Sequence, residues 1–171
     1  MMKYFLPAVG LLFISTTVSA VEKVTSNQVD AVQQRTQQVV PYSLEQTQLT
    51  FTKTVHGGIE HVVAKSADNY QQIKLIQENL LKMANDFRKG DFSVTEHIHG
   101  ADMPGLKQIK KAETDDIKYE YEALPDGAQI HYTTEYLQYV QAIHEWFEAQ
   151  MREHNNEGAP EHVKHHSTAA E

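Results

Sequence analysis

The apolar pattern between residues 49 and 89 predicts a β-hairpin followed by a helix. Apolar and polar residues alternate on both sides of Gly57-Gly58, a pair that provides a turn. The alternating positions are Leu49, Phe51, Lys53 and Val55 before the turn, and Ile59, His61, Val63 and Lys65 after it. Apolar residues then recur three or four positions apart at Ile73, Ile76, Leu80, Met83 and Phe87. This spacing predicts a helix over about 68–89.

The same order of patterns returns later in the chain. Ile117, Tyr119 and Tyr121 alternate with polar residues, and a Pro-Asp-Gly turn at 125–127 leads into a second alternating strand. A second helix is predicted from about 133 to near 154. We therefore predict an α+β fold, in which two ββα units form a four-stranded antiparallel sheet with two helices on one face.

Four segments are expected along the chain. They are a signal peptide over 1–20, a flexible lead-in over 21–48, a single α+β domain over 49–156 and a disordered tail over 157–171. Within the lead-in, residues 27–38 are compatible with a short helix that Pro41 ends. The segment 91–116 between the two units lacks strand or helix periodicity at its start, and 104–112 are compatible with a short helix. Long irregular connections often carry function.

The N-terminus indicates export to the periplasm or secretion. Lys3 precedes a short apolar run, and Val18-Ser19-Ala20 has the small residues of a signal-peptidase site. The alternative is an uncleaved N-terminal anchor. After cleavage we expect no transmembrane segment.

The mature chain would carry a formal charge of −9. Removal of Lys3 leaves 14 of the 15 Lys and Arg residues against 23 Asp and Glu. An acidic surface repels phosphate backbones, so we expect no nucleic-acid partner.

Ten histidines and no cysteine make imidazole the prominent candidate chemistry. The candidate metal ligands are His56, His61, His97, His99 and His144. His97 and His99 would share a face on an extended strand, with Asp102 and Met103 nearby. Each strand residue advances the chain by roughly 3.3 Å and each helical residue by roughly 1.5 Å. The predicted helix is long enough at this rise to run back along the second strand at least as far as the hairpin turn. We therefore expect the first four histidines to converge on copper or zinc.

Each candidate also has a structural interpretation. His56 could be a solvated turn residue, His61 a partly buried strand residue, and the His-x-His pair an exposed loop. A hydrogen-bonded core position is the alternative for His144. The remaining histidines are not assigned to the site, because His131 faces solvent on its strand, His154 suits a helix C-terminus, and three lie in the tail: His162, His165 and His166.

Two other functions remain open. One is a protein-interaction module whose histidines are structural or respond to pH. The other is a small hydrolase or lyase with a histidine base, for which a cleft around His144 with a neighbouring carboxylate would be needed. The sequence contains no G-x-S-x-G, H-E-x-x-H, P-loop or dinucleotide fingerprint, and no catalytic residue is assigned.

Four sequence segments resemble a group of small exported bacterial proteins of unassigned function. They are T-V-H-G-G-I-E-H-V-V-A-K (54–65), H-G-A-D-M-P-G-L (99–106), L-P-D-G-A (124–128) and H-E-W-F-E-A-Q (144–150). The resemblance covers about 51–154 and includes the five candidate histidines. Some members carry the label aspartate carbamoyltransferase, but this chain lacks that enzyme's S-T-R-T and H-P-x-Q segments and has about half its length. We do not expect that activity.

Overall fold

The computed structural model describes residues 26–154. The expected signal peptide and tail therefore lie outside the described residues. Five helices and four strands are described in this range. In chain order they are α1 (Ser26–Val39), β1 (Thr47–Thr54), β2 (Gly57–Ala64), α2 (Tyr70–Arg88), α3 (Ser93–His99), α4 (Leu106–Ile109), β3 (Lys118–Leu124), β4 (Gly127–Thr133) and α5 (Leu137–Glu153). A short 3-10 turn, Leu44–Gln46, precedes β1.

The strands form one antiparallel sheet in the order β1-β2-β4-β3. Buried and more exposed residues alternate along β2 and β4, and α2 and α5 pack on the buried face. This confirms the predicted α+β class, with a four-stranded antiparallel sheet and helices packed on it. The division into two ββα units stays an interpretation of the sequence.

The core lies between the sheet and the helices α2 and α5. Trp146 and Phe147 of α5 are buried against Tyr132 of β4, with ring centroids 5.6 and 5.2 Å away, and Phe147 also packs 4.9 Å from Phe51 of β1. Neighbouring edge-to-face rings add about 0.5–1.5 kcal/mol per pair beyond the burial of their area. These aromatic contacts therefore fix α5 on the inner face of the sheet.

The first hairpin turn differs from the prediction. Val55 and His56 form the turn, whereas Gly57 and Gly58 begin β2. Gly57 has φ +142°, and a Cβ there would lie 2.1 Å from the carbonyl oxygen of Tyr132. A Cβ on Gly58 would lie 2.3 Å from the Phe147 ring. The two glycines therefore allow β4 and α5 to approach β2 closely.

The segments before and between the hairpins are more ordered than expected. Within the expected flexible lead-in, α1 buries Val32 and Thr36, and Nε of Arg35 donates a 2.5 Å hydrogen bond to the carbonyl of Ile98 in α3. The expected irregular stretch after residue 91 contains α3, and α4 lies inside the short helix predicted over 104–112. Within 26–154, no helix has both the length and the apolar character to cross a membrane.

Candidate functional site

A cavity of about 420 Å³ lies between the inner face of β1 and β2 and the helices α1, α2, α3 and α5. Its size is within the range of pockets that hold small organic molecules. Much of the wall is apolar, formed by Val39, Val40, Leu49, Val62, Met83, Phe87, Val94 and Ile98. Several polar side chains interrupt this wall, and they give the cavity its chemical character.

Glu60 is an acid in the core of the sheet. Its place on the buried face of β2, opposite Phe51 and Ile130, leaves it 7 % exposed. The hydroxyl of Tyr132 donates a 2.6 Å hydrogen bond to Oε2 of Glu60. Burial raises the pKa of Glu60 to about 7, and the Tyr132 hydrogen bond opposes only part of that shift. The cavity wall therefore contains a carboxyl group that titrates near neutral pH.

Two tyrosines beside this carboxyl group remain protonated. Burial raises the pKa of Tyr132 well above its ordinary value, and the neighbouring Glu60 raises it further. Tyr42, which lines the cavity, has a raised pKa for the same two reasons. Both phenols are therefore neutral hydrogen-bonding groups next to an acid.

His99, which forms another part of the wall, is paired with a carboxylate. Nδ1 of His99, the last residue of α3, lies 2.5 Å from Oε2 of Glu153 in the last turn of α5. The His99 side chain is 2 % exposed. The His154 ring packs edge-on against His99 with centroids 5.1 Å apart, and burial followed by His99 lowers the pKa of His154 to about 4. His154 is consequently a neutral imidazole at neutral pH.

Gln150 adds a buried amide to the same wall. It lies one turn before His154 on α5, and its Nε2 has no hydrogen-bond partner within residues 26–154. A buried donor without a partner costs about 1–3 kcal/mol, so native proteins contain few of them. Nε1 of Trp146, one turn earlier, is also unpartnered in that range.

No family model, curated protein or solved structure matches this chain. The resemblance to small exported bacterial proteins therefore stays an interpretation of the sequence. The chemistry of the site has to be argued from its own residues.

The five candidate metal ligands occupy different parts of the molecule. His56 is exposed in the first turn. His61 lies half-buried on the open face of the sheet, which is the face away from α2 and α5, whereas its neighbour Glu60 lies on the buried face. His97 is exposed on α3, while His99 is buried against α5. The His-x-His pair lies on a helix, so its two side chains do not share a face as they would on a strand.

His144 lies on α5, apart from His99 at the end of α3. Its Nε2 is 3.0 Å from the carbonyl oxygen of Thr54 and 2.9 Å from that of Gly57, so it carries a proton and donates to both. Nine residues separate it from Glu153, roughly 13 Å along the helix axis. The hydrogen-bonded alternative is the one observed. His144 is not among the residues that line this cavity, and the hydrolase or lyase alternative stays a prediction.

Among residues 26–154, no group of three His, Asp or Glu side chains is arranged to hold a metal ion. The expected convergence of four histidines is therefore not seen, because the sheet separates His61 from the helix layer that contains His99. Copper or zinc binding itself stays a prediction, which calorimetric titration with each metal would test.

The sequence interpretation missed Glu60, Tyr132 and Gln150. It assigned Ile59, His61 and Val63 to the patterned face of β2, but these three residues are only partly buried. The buried residues of β2 are Gly57, Gly58, Glu60, Val62 and Ala64. A two-residue turn pairs odd-numbered residues of β1 with even-numbered residues of β2. Placing Phe51 in the core would therefore have identified Glu60 as a buried acid.

Proposed function

We propose that this protein binds a small organic molecule in the cavity between the sheet and the helices. The observation that carries the proposal is the combination of an apolar wall with the buried polar groups of Glu60 and Gln150. Specific small-molecule sites have this composition, because apolar area supplies affinity and a few polar groups orient the ligand. The predicted signal peptide would place this binding in the periplasm or outside the cell.

The polar groups favour a binding site over a simple packing defect. An empty cavity in a core is stable when its lining is apolar, whereas a buried carboxyl group and an unpartnered amide are costly to keep dry. A ligand that hydrogen bonds with these groups would offset that cost. Its binding free energy would then add to the stability of the folded chain.

The fluorescent probe N-phenyl-1-naphthylamine, which is uncharged and apolar, tests whether the cavity admits a small molecule. We expect saturable binding to the wild type, with increased emission and a raised melting temperature. Val62→Phe narrows the cavity and should weaken binding about tenfold or more, since each lost 1.4 kcal/mol corresponds to tenfold. Val63→Phe is the matched control, because Val63 is the neighbouring residue on the open face.

Absence of saturable probe binding to the folded wild type would overturn the proposal. So would equal binding by Val62→Phe and Val63→Phe, provided that circular dichroism shows both to be folded. If Val62→Phe does not fold, Met83→Phe tests the same space from α2, where the side chain is only partly buried.

A further inference from the structure

Glu60 has no cationic partner within residues 26–154, and no salt bridge there includes it. Two lysines line the cavity, but both are engaged elsewhere. Nζ of Lys82 lies 2.6 Å from Oδ2 of Asp86, and Nζ of Lys65 donates a 2.8 Å hydrogen bond to the carbonyl oxygen of Glu45. When Glu60 is ionised, it is therefore a buried negative charge without a countercharge, which is a costly arrangement.

The wider lining of the cavity is also acidic. Four carboxyl groups, those of Glu45, Glu60, Asp86 and Asp91, line the cavity with two lysines, Lys65 and Lys82. With Glu60 ionised and the histidines His99 and His154 left out, the formal balance is −2. His154 is neutral at neutral pH and does not change this balance. The resulting field favours a positively charged ligand and opposes an anionic one.

Aromatic rings and apolar side chains surround the acid. Tyr42 and Phe87 both line the cavity, and Tyr132 is bonded to the carboxyl group itself. Aromatic faces attract cations, and the interaction strengthens when water is excluded. The site thus offers a buried counter-ion next to surfaces that suit an ammonium group and an attached hydrocarbon.

We infer that the cavity selects a small molecule that carries a protonated amine on an apolar body, with the Glu60 carboxylate as its counter-ion. This inference rests on the proposed function, because it requires the cavity to admit a ligand. Glu60 supplies the charge, Tyr132 holds one carboxylate oxygen through its hydroxyl, and the apolar wall receives the hydrocarbon.

Three probes of similar shape test the selection: 2-phenylethylamine, 2-phenylethanol and 3-phenylpropanoate. By isothermal titration calorimetry we expect the amine to bind the wild type about tenfold or more tightly than the alcohol, and the carboxylate most weakly. Glu60→Gln keeps the shape of the side chain and removes its charge, so the preference for the amine should disappear. The control is Glu120→Gln, whose exposed side chain lies on β3, and it should keep the preference.

A second readout needs no variant. Burial raises the pKa of Glu60 to about 7, so an amine that requires the carboxylate should displace its proton on binding. The amine should therefore bind more tightly as the pH rises from about 5 to about 8, with proton release detected by comparing buffers of different ionisation enthalpy. The alcohol should release no proton.

The outcomes separate the two proposals. If the amine binds no better than the alcohol, or releases no proton, the amine selection is overturned, while binding of the alcohol or of the naphthylamine probe leaves the cavity proposal intact. If the naphthylamine probe binds and none of the three phenyl compounds does, the amine selection is again overturned. If no compound binds the folded protein, both proposals fail.

Discussion

Nδ1 of His99 lies 2.5 Å from Oε2 of Glu153 and joins the end of α3 to the last turn of α5. The contact crosses 54 residues of sequence, and His99 is also part of the cavity wall. Hydrogen bonds to charged groups contribute about 1.5–3 kcal/mol when they are buried. The structure therefore assigns a stabilising role to one member of the His-x-His pair.

We expect His99→Ala to lower the free energy of unfolding by about 2–3 kcal/mol, because it removes a buried ring and leaves Glu153 without that partner. Urea denaturation measures the change. His97→Ala is the control on the same helix, since His97 is exposed, and it should stay within about 0.5 kcal/mol of the wild type. Equal losses in the two variants would contradict the assigned role.

Glu60 and His154 should give stability profiles of opposite slope. The pKa of Glu60 is raised from 4.5 to about 7, so its contribution to stability is full below pH 4.5 and is lost as the pH rises through about 7. The pKa of His154 is lowered from 6.5 to about 4, so its contribution is present above pH 6.5 and is lost as the pH falls through about 4. Each of these two pKa shifts changes the free energy of unfolding by roughly 3 kcal/mol between the unfolded and the folded pKa of the group.

Single substitutions should reveal the two slopes. Relative to the wild type, Glu60→Gln should gain stability as the pH rises from about 4.5 to about 7, and His154→Gln should gain stability as the pH falls from about 6.5 to about 4. Urea denaturation at a series of pH values measures both difference profiles. A flat difference profile for either variant would show that the group titrates alike in the folded and unfolded chain.

The tautomer of His144 is a further prediction. Because Nε2 lies beside two carbonyl oxygens, the proton of the neutral ring should reside on Nε2, which nitrogen-15 chemical shifts of the imidazole report. His144→Ala should cost about 1–3 kcal/mol, since two carbonyl groups of the first turn lose a donor. His131→Ala, on the open face, is the control and should cost less. A proton on Nδ1 instead would contradict the observed geometry.

Gly57 and Gly90 form a matched pair for testing close packing. Both have positive φ, so an alanine is strained at either position, but only at Gly57 does the added Cβ meet backbone atoms. We expect Gly57→Ala to be about 1–3 kcal/mol more destabilising than Gly90→Ala in thermal or urea unfolding. Similar losses would mean that backbone strain alone, without the contact with Tyr132, accounts for the effect.

The sheet and its main helices could be predicted because their periodicity is strong. The helix α2 was expected over about 68–89 and is observed over Tyr70–Arg88, and the alternation in both hairpins identified all four strands. Alternation alone did not determine which face of β2 is buried. That choice depends on the pairing of Glu60 with Phe51 across the hairpin, which is a property of two strands together.

The site was harder to predict because its residues come from distant segments. Glu60 and His99 line one cavity, and His99 reaches Glu153 only after α3 packs between α1 and the end of α5. Helix α3 has seven residues, too few for a clear helical period, so the His-x-His pair was interpreted as extended. The abundance of histidines favours imidazole chemistry, whereas the unusual buried group is the carboxyl group of Glu60 in β2.

One wall of the cavity is made by α1, the first described helix, which is joined to β1 by a segment that contains the 3-10 turn Leu44–Gln46. Detachment of α1 from α3 and α5 would open this wall while the sheet stayed folded. The residence time of a bound molecule would then follow the opening rate of α1 and not the global unfolding rate. Amide hydrogen exchange in α1 would report that rate directly.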